Sequence, residues 1–153
     1  MGYHTGTVWP HDNALVASGL GHYGHEAQAL EIFSGLLGAA LSFDLCRMPE
    51  LFCGFARSPG EGPVMHPVAC APQAWAAGSV LLLVQTSLGL DVDAVGGRVV
   101  LRRPRLPVEL TEIRIHDLEV AGSSLDIAVS QDGDDVAVKV LRRSGEAQVV
   151  VIE

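Results

Sequence analysis

Basic residues are scarce in this chain. Ten lysines and arginines stand against 18 aspartates and glutamates, which gives a formal charge of −8. Nucleic acids and anionic membranes are bound through a positively charged protein face, so this imbalance argues against both as partners. A neutral or cationic ligand is easier to accommodate. The first residues also lack a charged region followed by an apolar stretch, so we expect no secretion signal.

Cysteine is scarce as well. The three residues Cys46, Cys53 and Cys70 are an odd number in a chain of 153 residues. A chain of this length can bury a core without disulfide bonds. Free thiols are typical of a reducing compartment, so the cysteine usage predicts a cytoplasmic protein.

Motifs for metals, nucleotides and reactive thiols are missing. Gly21, Gly24 and Gly35 do not have the spacing of a phosphate-binding loop, so no nucleotide cofactor is expected. We predict that His22 and His25 are surface histidines. One further group contains four potential metal ligands whose spacings fit no common zinc pattern: Cys46, Cys53, His66 and Cys70. No histidine is placed in the sequence to activate Cys53 as a nucleophile. We therefore predict neither a metal nor a cofactor.

Charge is unevenly distributed along the chain. Residues 1–90 contain six acidic and two basic residues, whereas residues 91–153 contain twelve acidic and eight basic residues. These two parts of the chain, the first and second regimes of charge, meet near Asp91 and Asp93. We therefore predict a helical domain over residues 1–92, and a connector with a β-strand tail over residues 93–153.

The first regime has helical spacing. We predict helices from about Asp12 to Tyr23, from about His25 to Cys46 and from about Pro72 to Leu88. The second is apolar nearly all the way round, which indicates burial on more than one side. The third has no charged residue and approaches the length of about twenty apolar residues that spans a bilayer. Its polar residues and the lack of a basic flank favour a buried helix over a membrane span.

The second regime alternates apolar and polar residues, which predicts half-exposed strands over 112–120, 125–129 and 136–141. Gly133 and Gly145 lie in the turns between them, and we expect the resulting β meander to end in residues 148–152. The segment before this meander, which contains Val99 to Leu101, is expected to be an extended connector.

The densest groups of chemistry-bearing residues lie in the helical part. Pro49 directly precedes Glu50 and fixes the direction in which this glutamate leaves the preceding helix, as acid or base chemistry requires. Trp9, His11 and Asp12 open a helix together. An aromatic face with hydrogen-bonding groups suits a sugar ring, although Asp12 capping the helix while its neighbours pack would explain the same residues.

Three blocks in this order resemble the C-terminal part of the amylo-alpha-1,6-glucosidase family, the bacterial relatives of the glucosidase half of glycogen debranching enzyme. The blocks are Trp9-Pro10-His11-Asp12, Pro49-Glu50-Leu51 and Pro72-Gln73-Ala74-Trp75. The resemblance implies a six-hairpin (α/α)6 toroid that cleaves α-1,6-glucosidic bonds of glycogen or related α-glucans with inversion, using two carboxylates. It implies Glu50 as the general base. It also implies a sugar pocket lined by Trp9, His11, Asp12, Gln73 and Trp75.

The family's general acid is an aspartate far upstream of the first block, and this sequence has no counterpart. The fold we predict is therefore α+β, with helical hairpins forming the last part of an incomplete toroid, followed by the small antiparallel meander. We expect a fragment of a glycoside hydrolase that is inactive alone, and that self-associates or binds a complementary N-terminal chain. The alternatives are a non-catalytic carbohydrate-binding or scaffolding module, and an inert remnant.

Overall fold

A computed structural model describes residues 2–58, 60–133 and 135–153. These residues contain three α-helices and eight strands, and the strands form three small sheets. The chain is thus a mixed α+β protein, and the predicted incomplete toroid is wrong. A toroid is built from helix after helix, whereas here the third helix is followed by strands and only the first two helices form a hairpin.

The chain divides into two compact units, Met1–Val84 and Gln85–Glu153. The division falls inside the third helix. The boundary that charge suggested, between residues 92 and 93, lies within a strand of the second unit, β3 (Leu90–Asp93).

The first unit contains a helical hairpin, α1 (Pro10–His22) and α2 (Glu26–Ala40). Pro10 suits the first turn because it has no N–H to leave unpaired. Gly24 turns the chain between the helices with φ +84°, a conformation that glycine adopts without strain. Alanines are frequent among the buried residues of both helices, and small side chains let two helices approach closely. The buried residues are Pro10, Ala14 and Ala17 of α1, and Ala29, Phe33, Leu36, Ala39 and Ala40 of α2.

The second helix is shorter than the sequence predicts. It stops at Ala40, and a 3₁₀ turn at Asp44–Cys46 follows in which Leu45 and Cys46 have φ +55°. The apolar pattern continues past the helix end for another reason. Phe43 packs against Phe52, with ring centroids 6.0 Å apart, so this residue is apolar because of a long-range contact.

A two-stranded antiparallel sheet joins two distant parts of the first unit. β1 (Thr7–Val8) pairs with β2 (Phe52–Cys53), with Val8 opposite Phe52. Neither strand was predicted, because two residues are too few to show an alternating pattern. This sheet places the start of α1 beside the segment that ends in β2.

The third helix, α3 (Ala74–Leu88), was predicted to be a buried helix but is buried only in part. It buries one face, with Ala76, Ser79 and Leu83 among the residues there, and exposes Trp75 and Leu81. No described helix has the length and apolar character needed to cross a membrane.

The second unit contains two three-stranded sheets. In one, β3 pairs antiparallel with β4 (Arg98–Arg102), and β4 pairs in parallel with β8 (Gln148–Ile152). The segment expected to be a connector is therefore a central strand, and the last strand does not end a meander. Asp93 closes the β3–β4 turn by accepting the Gly96 N–H at 2.7 Å and pairing with Arg98 at 2.6 Å.

The other sheet is antiparallel and consists of β5 (Glu112–Val120), β6 (Ser123–Asp132) and β7 (Asp135–Ser144). Alternate residues of the central strand β6 face the core of this unit, as the period of two requires. The fully buried residues of the second unit include Leu88, Val99, Leu101, Leu125, Ile127 and Val129.

Candidate functional site: a buried carboxylate beside two tryptophans

Glu50 lies in a buried segment of the first unit. Its neighbours Pro49 and Leu51 are fully buried, and Glu50 itself is 8% exposed. The Glu50 N–H donates to the carbonyl of Cys70 at 2.8 Å. An acidic residue is almost never buried unless its charge is satisfied by partners, so the contacts of the carboxylate decide what it can do.

The two oxygens of this carboxylate have different surroundings. Oε2 accepts a short hydrogen bond from the Tyr3 hydroxyl and a longer one, at 3.4 Å, from the backbone N–H of Cys70. No described group donates a hydrogen bond to Oε1, and that atom is not cut off from solvent. One oxygen is therefore anchored while the other is open to a ligand or water.

Tyr3 acts as the donor in this pair. Its hydrogen bond to Glu50, followed by desolvation and by the negative charges of Glu50 and Cys70, raises the pKa of Tyr3 to about 12. The hydroxyl therefore keeps its proton at any physiological pH. A neutral donor facing a carboxylate anchors it without forming an ion pair.

Aromatic rings extend this site from Glu50 to the start of α3. The Tyr3 ring meets the Trp9 indole edge to face at 5.2 Å, and Trp9 meets Trp75 in the same way at 6.1 Å. His11 stacks on Trp75 with centroids 5.0 Å apart and planes 13° apart. Trp75 remains 45% exposed, so the cluster presents a partly open aromatic surface.

The other two predicted site residues contact this cluster less directly. The Asp12 side chain is 66% exposed and reaches only the His11 ring, at 3.3 Å. Gln73 accepts the Ala74 N–H at 2.9 Å and so caps the beginning of α3. The structure thus brings Glu50, Trp9, His11 and Trp75 together, and leaves Asp12 and Gln73 at the edge.

Sequence reasoning missed three contributors. Tyr3 and the Cys70 backbone hold the carboxylate, and His66 packs its ring against Tyr3 at 5.7 Å. The Nδ1 atom of His66 is buried and has no hydrogen-bond partner among the described residues. Each carried a weak signal, since Tyr3 shortly precedes Trp9 and His11 in the sequence, and His66 and Cys70 shortly precede Gln73 and Trp75.

A separate cavity of the first unit, about 660 Å³ in volume, does not contain the carboxylate or the indoles. It lies between α2 and residues 52–58 and 60–64, and its walls include Leu36, Phe52 and Arg57. The cavity has the size of a small-molecule site, but its walls lack the pairing of a buried carboxylate with aromatic faces. We therefore assign the candidate site by side-chain geometry.

Potential metal ligands do not cluster in the described part of the chain. Across residues 2–58, 60–133 and 135–153, no three His, Cys, Asp or Glu side chains converge on one position. Cys46, Cys53 and Cys70 are free thiols.

Comparison with known proteins adds no family assignment. No protein-family model matches the chain, and no curated protein matches it significantly.

Proposed function

We propose that this chain supplies the base side of an inverting glycoside hydrolase site, acting on α-1,6-glucosidic bonds of glycogen or related α-glucans in the cytoplasm. The observation that carries the proposal is the arrangement of Glu50. Its carboxylate is buried, anchored through Oε2 and open at Oε1, and Tyr3 connects it to two indoles. The class of linkage comes from the resemblance to amylo-alpha-1,6-glucosidases.

In this mechanism Glu50 activates water. Oε1 takes a proton from the water as the water oxygen attacks the anomeric carbon, and the bond from that carbon to the leaving oxygen breaks with its electron pair. The leaving oxygen needs a proton from a second carboxyl group, about 6.5–9.5 Å from the base in inverting enzymes. We place that acid on a complementary chain, because Asp12 is exposed and directed to His11.

The aromatic cluster suits the substrate. A sugar ring has apolar C–H faces that pack on indole and hydroxyl groups that need polar partners. The exposed part of Trp75 offers the first, while the open oxygen of Glu50 offers the second. The same surface would also serve a non-catalytic carbohydrate-binding module, and the stacked, half-exposed pair of His11 and Trp75 is the observation that favours this second function.

An activated substrate tests the base without the acid. Fluoride leaves a glycosyl fluoride without being protonated, so α-glucosyl fluoride removes the need for the general acid that natural substrates have. We expect the isolated chain to release fluoride and to form β-glucose, and Glu50→Gln to reduce the rate by about 100-fold or more. Fluoride is measured with an ion-selective electrode and the anomer by proton NMR.

The matched control is Glu61→Gln, since Glu61 is an exposed glutamate of the same unit and should leave the rate unchanged. Equal fluoride release by the wild type and Glu50→Gln would refute the hydrolase proposal. If the chain releases no fluoride but maltooligosaccharides or panose change the fluorescence of its two tryptophans, both of which lie in the cluster, the binding module becomes the better description.

A further inference from the structure

We propose that Tyr3 is a positioning residue for Glu50, which fixes Oε2 so that only Oε1 is left to accept a proton from water. The effect on hydrolysis rests on the proposed function. The contact between the two side chains does not, because it stands on the geometry alone.

Tyr3 is itself held in one orientation. Its ring lies against three others, with centroids 4.9 Å from His4, 5.2 Å from Trp9 and 5.7 Å from His66, each near edge to face. A ring enclosed in this way cannot change rotamer without displacing its neighbours. The hydroxyl is therefore preorganised before any ligand binds.

Hydrogen bonds connect this orientation to the tryptophan. The Trp9 Nε1–H donates to the Thr7 hydroxyl at 3.2 Å, and that hydroxyl donates to the Tyr3 carbonyl at 2.8 Å. The chain of contacts thus runs from the indole through Thr7 and Tyr3 to the carboxylate. A displacement of Trp9, which packs against the sugar-facing Trp75, would be transmitted to Glu50, so the aromatic cluster and the base are positioned together.

The asymmetry of the carboxylate is the reason to assign this role. A free glutamate rotates about its terminal bond and presents either oxygen. Here two donors, the Tyr3 hydroxyl and the Cys70 N–H, both meet Oε2. Since the angle of attack on the anomeric carbon is fixed by where the water is held, a carboxylate locked in this way raises the fraction of productive encounters.

The first experiment measures the contact itself. The chain has two tyrosines, so Tyr23→Phe leaves Tyr3 as the single phenol to titrate by its phenolate absorbance. With a pKa of about 12, about one tenth of Tyr3 should be ionised near pH 11. Adding Glu50→Gln removes the neighbouring charge and should raise that fraction several-fold. Circular dichroism at the same pH establishes that both variants are folded.

The second experiment measures the role, with α-glucosyl fluoride as the probe. Tyr3→Phe keeps the ring packing but removes the donor, and we expect kcat to fall by about 10- to 100-fold with KM nearly unchanged. Tyr23→Phe is the control, since Tyr23 is 80% exposed and lies outside the cluster.

The outcomes separate the two proposals. A raised Tyr3 ionisation in the Glu50→Gln background without any fluoride release supports the contact and refutes the hydrolase. Fluoride release that depends on Glu50 but is unchanged in Tyr3→Phe supports the hydrolase and refutes the positioning role. A Tyr3 phenol that titrates identically with and without Glu50→Gln refutes the contact.

Discussion

The carboxylates of Glu50 and Asp126 are both held by hydrogen bonds, but the donors differ in charge. Glu50 receives neutral donors, the Tyr3 hydroxyl and a backbone N–H. Asp126 pairs with the Arg142 guanidinium, which contacts both its oxygens at 2.9 and 3.0 Å. A carboxylate neutralised by a guanidinium is a poor acceptor of a further proton. Asp126 is therefore suited to hold its sheet together, whereas Glu50 is the carboxylate on which the proposed hydrolysis depends.

The Asp126 pair predicts how stability depends on pH. Arg142, the Asp117 N–H and His116 hold the pKa of Asp126 far below its ordinary value. The stabilisation is therefore fully present above the unfolded-state pKa of about 3.9, and is lost as the pH falls from there toward the lowered value. In urea unfolding at neutral pH, Asp126→Asn should have a lower midpoint than the wild type. The difference between the two midpoints should become smaller as the pH approaches about 2.5.

The control for this prediction is Asp91→Asn. Asp91 is an exposed aspartate of the same unit that makes no ion pair within the described part of the chain. Its substitution should leave the midpoint unchanged at both pH values. A gap for Asp126→Asn that is constant with pH would contradict the assignment of the stabilisation to the ionised side chain.

At this scale the sequence indicates which residues carry chemistry but not what holds them. Pro49 and the apolar residues around Glu50 mark a carboxylate on a restrained backbone. Tyr3 lies 47 positions away from Glu50, and no local pattern connects them. The resemblance implies Asp12 as a pocket residue, but the sequence does not show that its side chain is largely solvent-exposed.

Among the elements, the smallest sheet has the largest effect on the site. β1 and β2 together contain four residues, yet Trp9 directly follows β1 and Glu50 lies just before β2. The backbones continue to approach beyond the paired residues, where the Gly54 N–H donates to the Gly6 carbonyl at 2.9 Å. The spacing of the indole and the carboxylate therefore depends on how closely these two strands can meet.

Gly54→Ala tests this dependence. A Cβ at position 54 would lie 2.7 Å from the Gly6 carbonyl oxygen, so the strands must move apart. We expect a loss of about 1–3 kcal/mol in the free energy of unfolding, and a smaller change in tryptophan fluorescence when panose is added.

The matched substitution is Gly19→Ala in α1, where a new Cβ meets nothing within 4 Å. Alanine there should stabilise the helix by up to about 1 kcal/mol. If both alanine variants changed stability by the same amount and in the same direction, the close approach of the strands would not be the cause.

Element types were easier to predict than their ends and partners. The apolar periodicity of α1 and α2 and the alternation in β5 to β7 follow from local spacing. The end of α2 does not follow from local spacing. Phe43 lies beyond the helix end and is apolar because it packs against Phe52. The parallel pairing of β4 with β8 joins strands that are distant in the sequence. The apolar residues of each strand predict a buried strand, but they do not indicate which other strand it pairs with.

At the scale of the whole molecule, the surface of α3 is the feature with the clearest consequence. It contains no charged residue, and its exposed face includes Trp75, Val80 and Leu81, the last 74% exposed. Apolar side chains at this density on a helix surface mark an interaction site or an aggregation liability. We therefore expect the wild type to self-associate, with a sedimentation coefficient that rises over a roughly hundredfold range of concentration.

Leu81→Glu should keep the protein monomeric over that range, because a charge on the apolar face would be buried in the assembly without a partner. Leu141→Glu is the comparison, since Leu141 is also exposed but lies on β7, and this variant should associate like the wild type. Both variants should retain the tryptophan fluorescence of the parent as monomers. If Leu81→Glu associated as strongly as the wild type, the face of α3 would not be the contact, and the exposed residues of α1, Leu15 and Val16, would be the next surface to substitute.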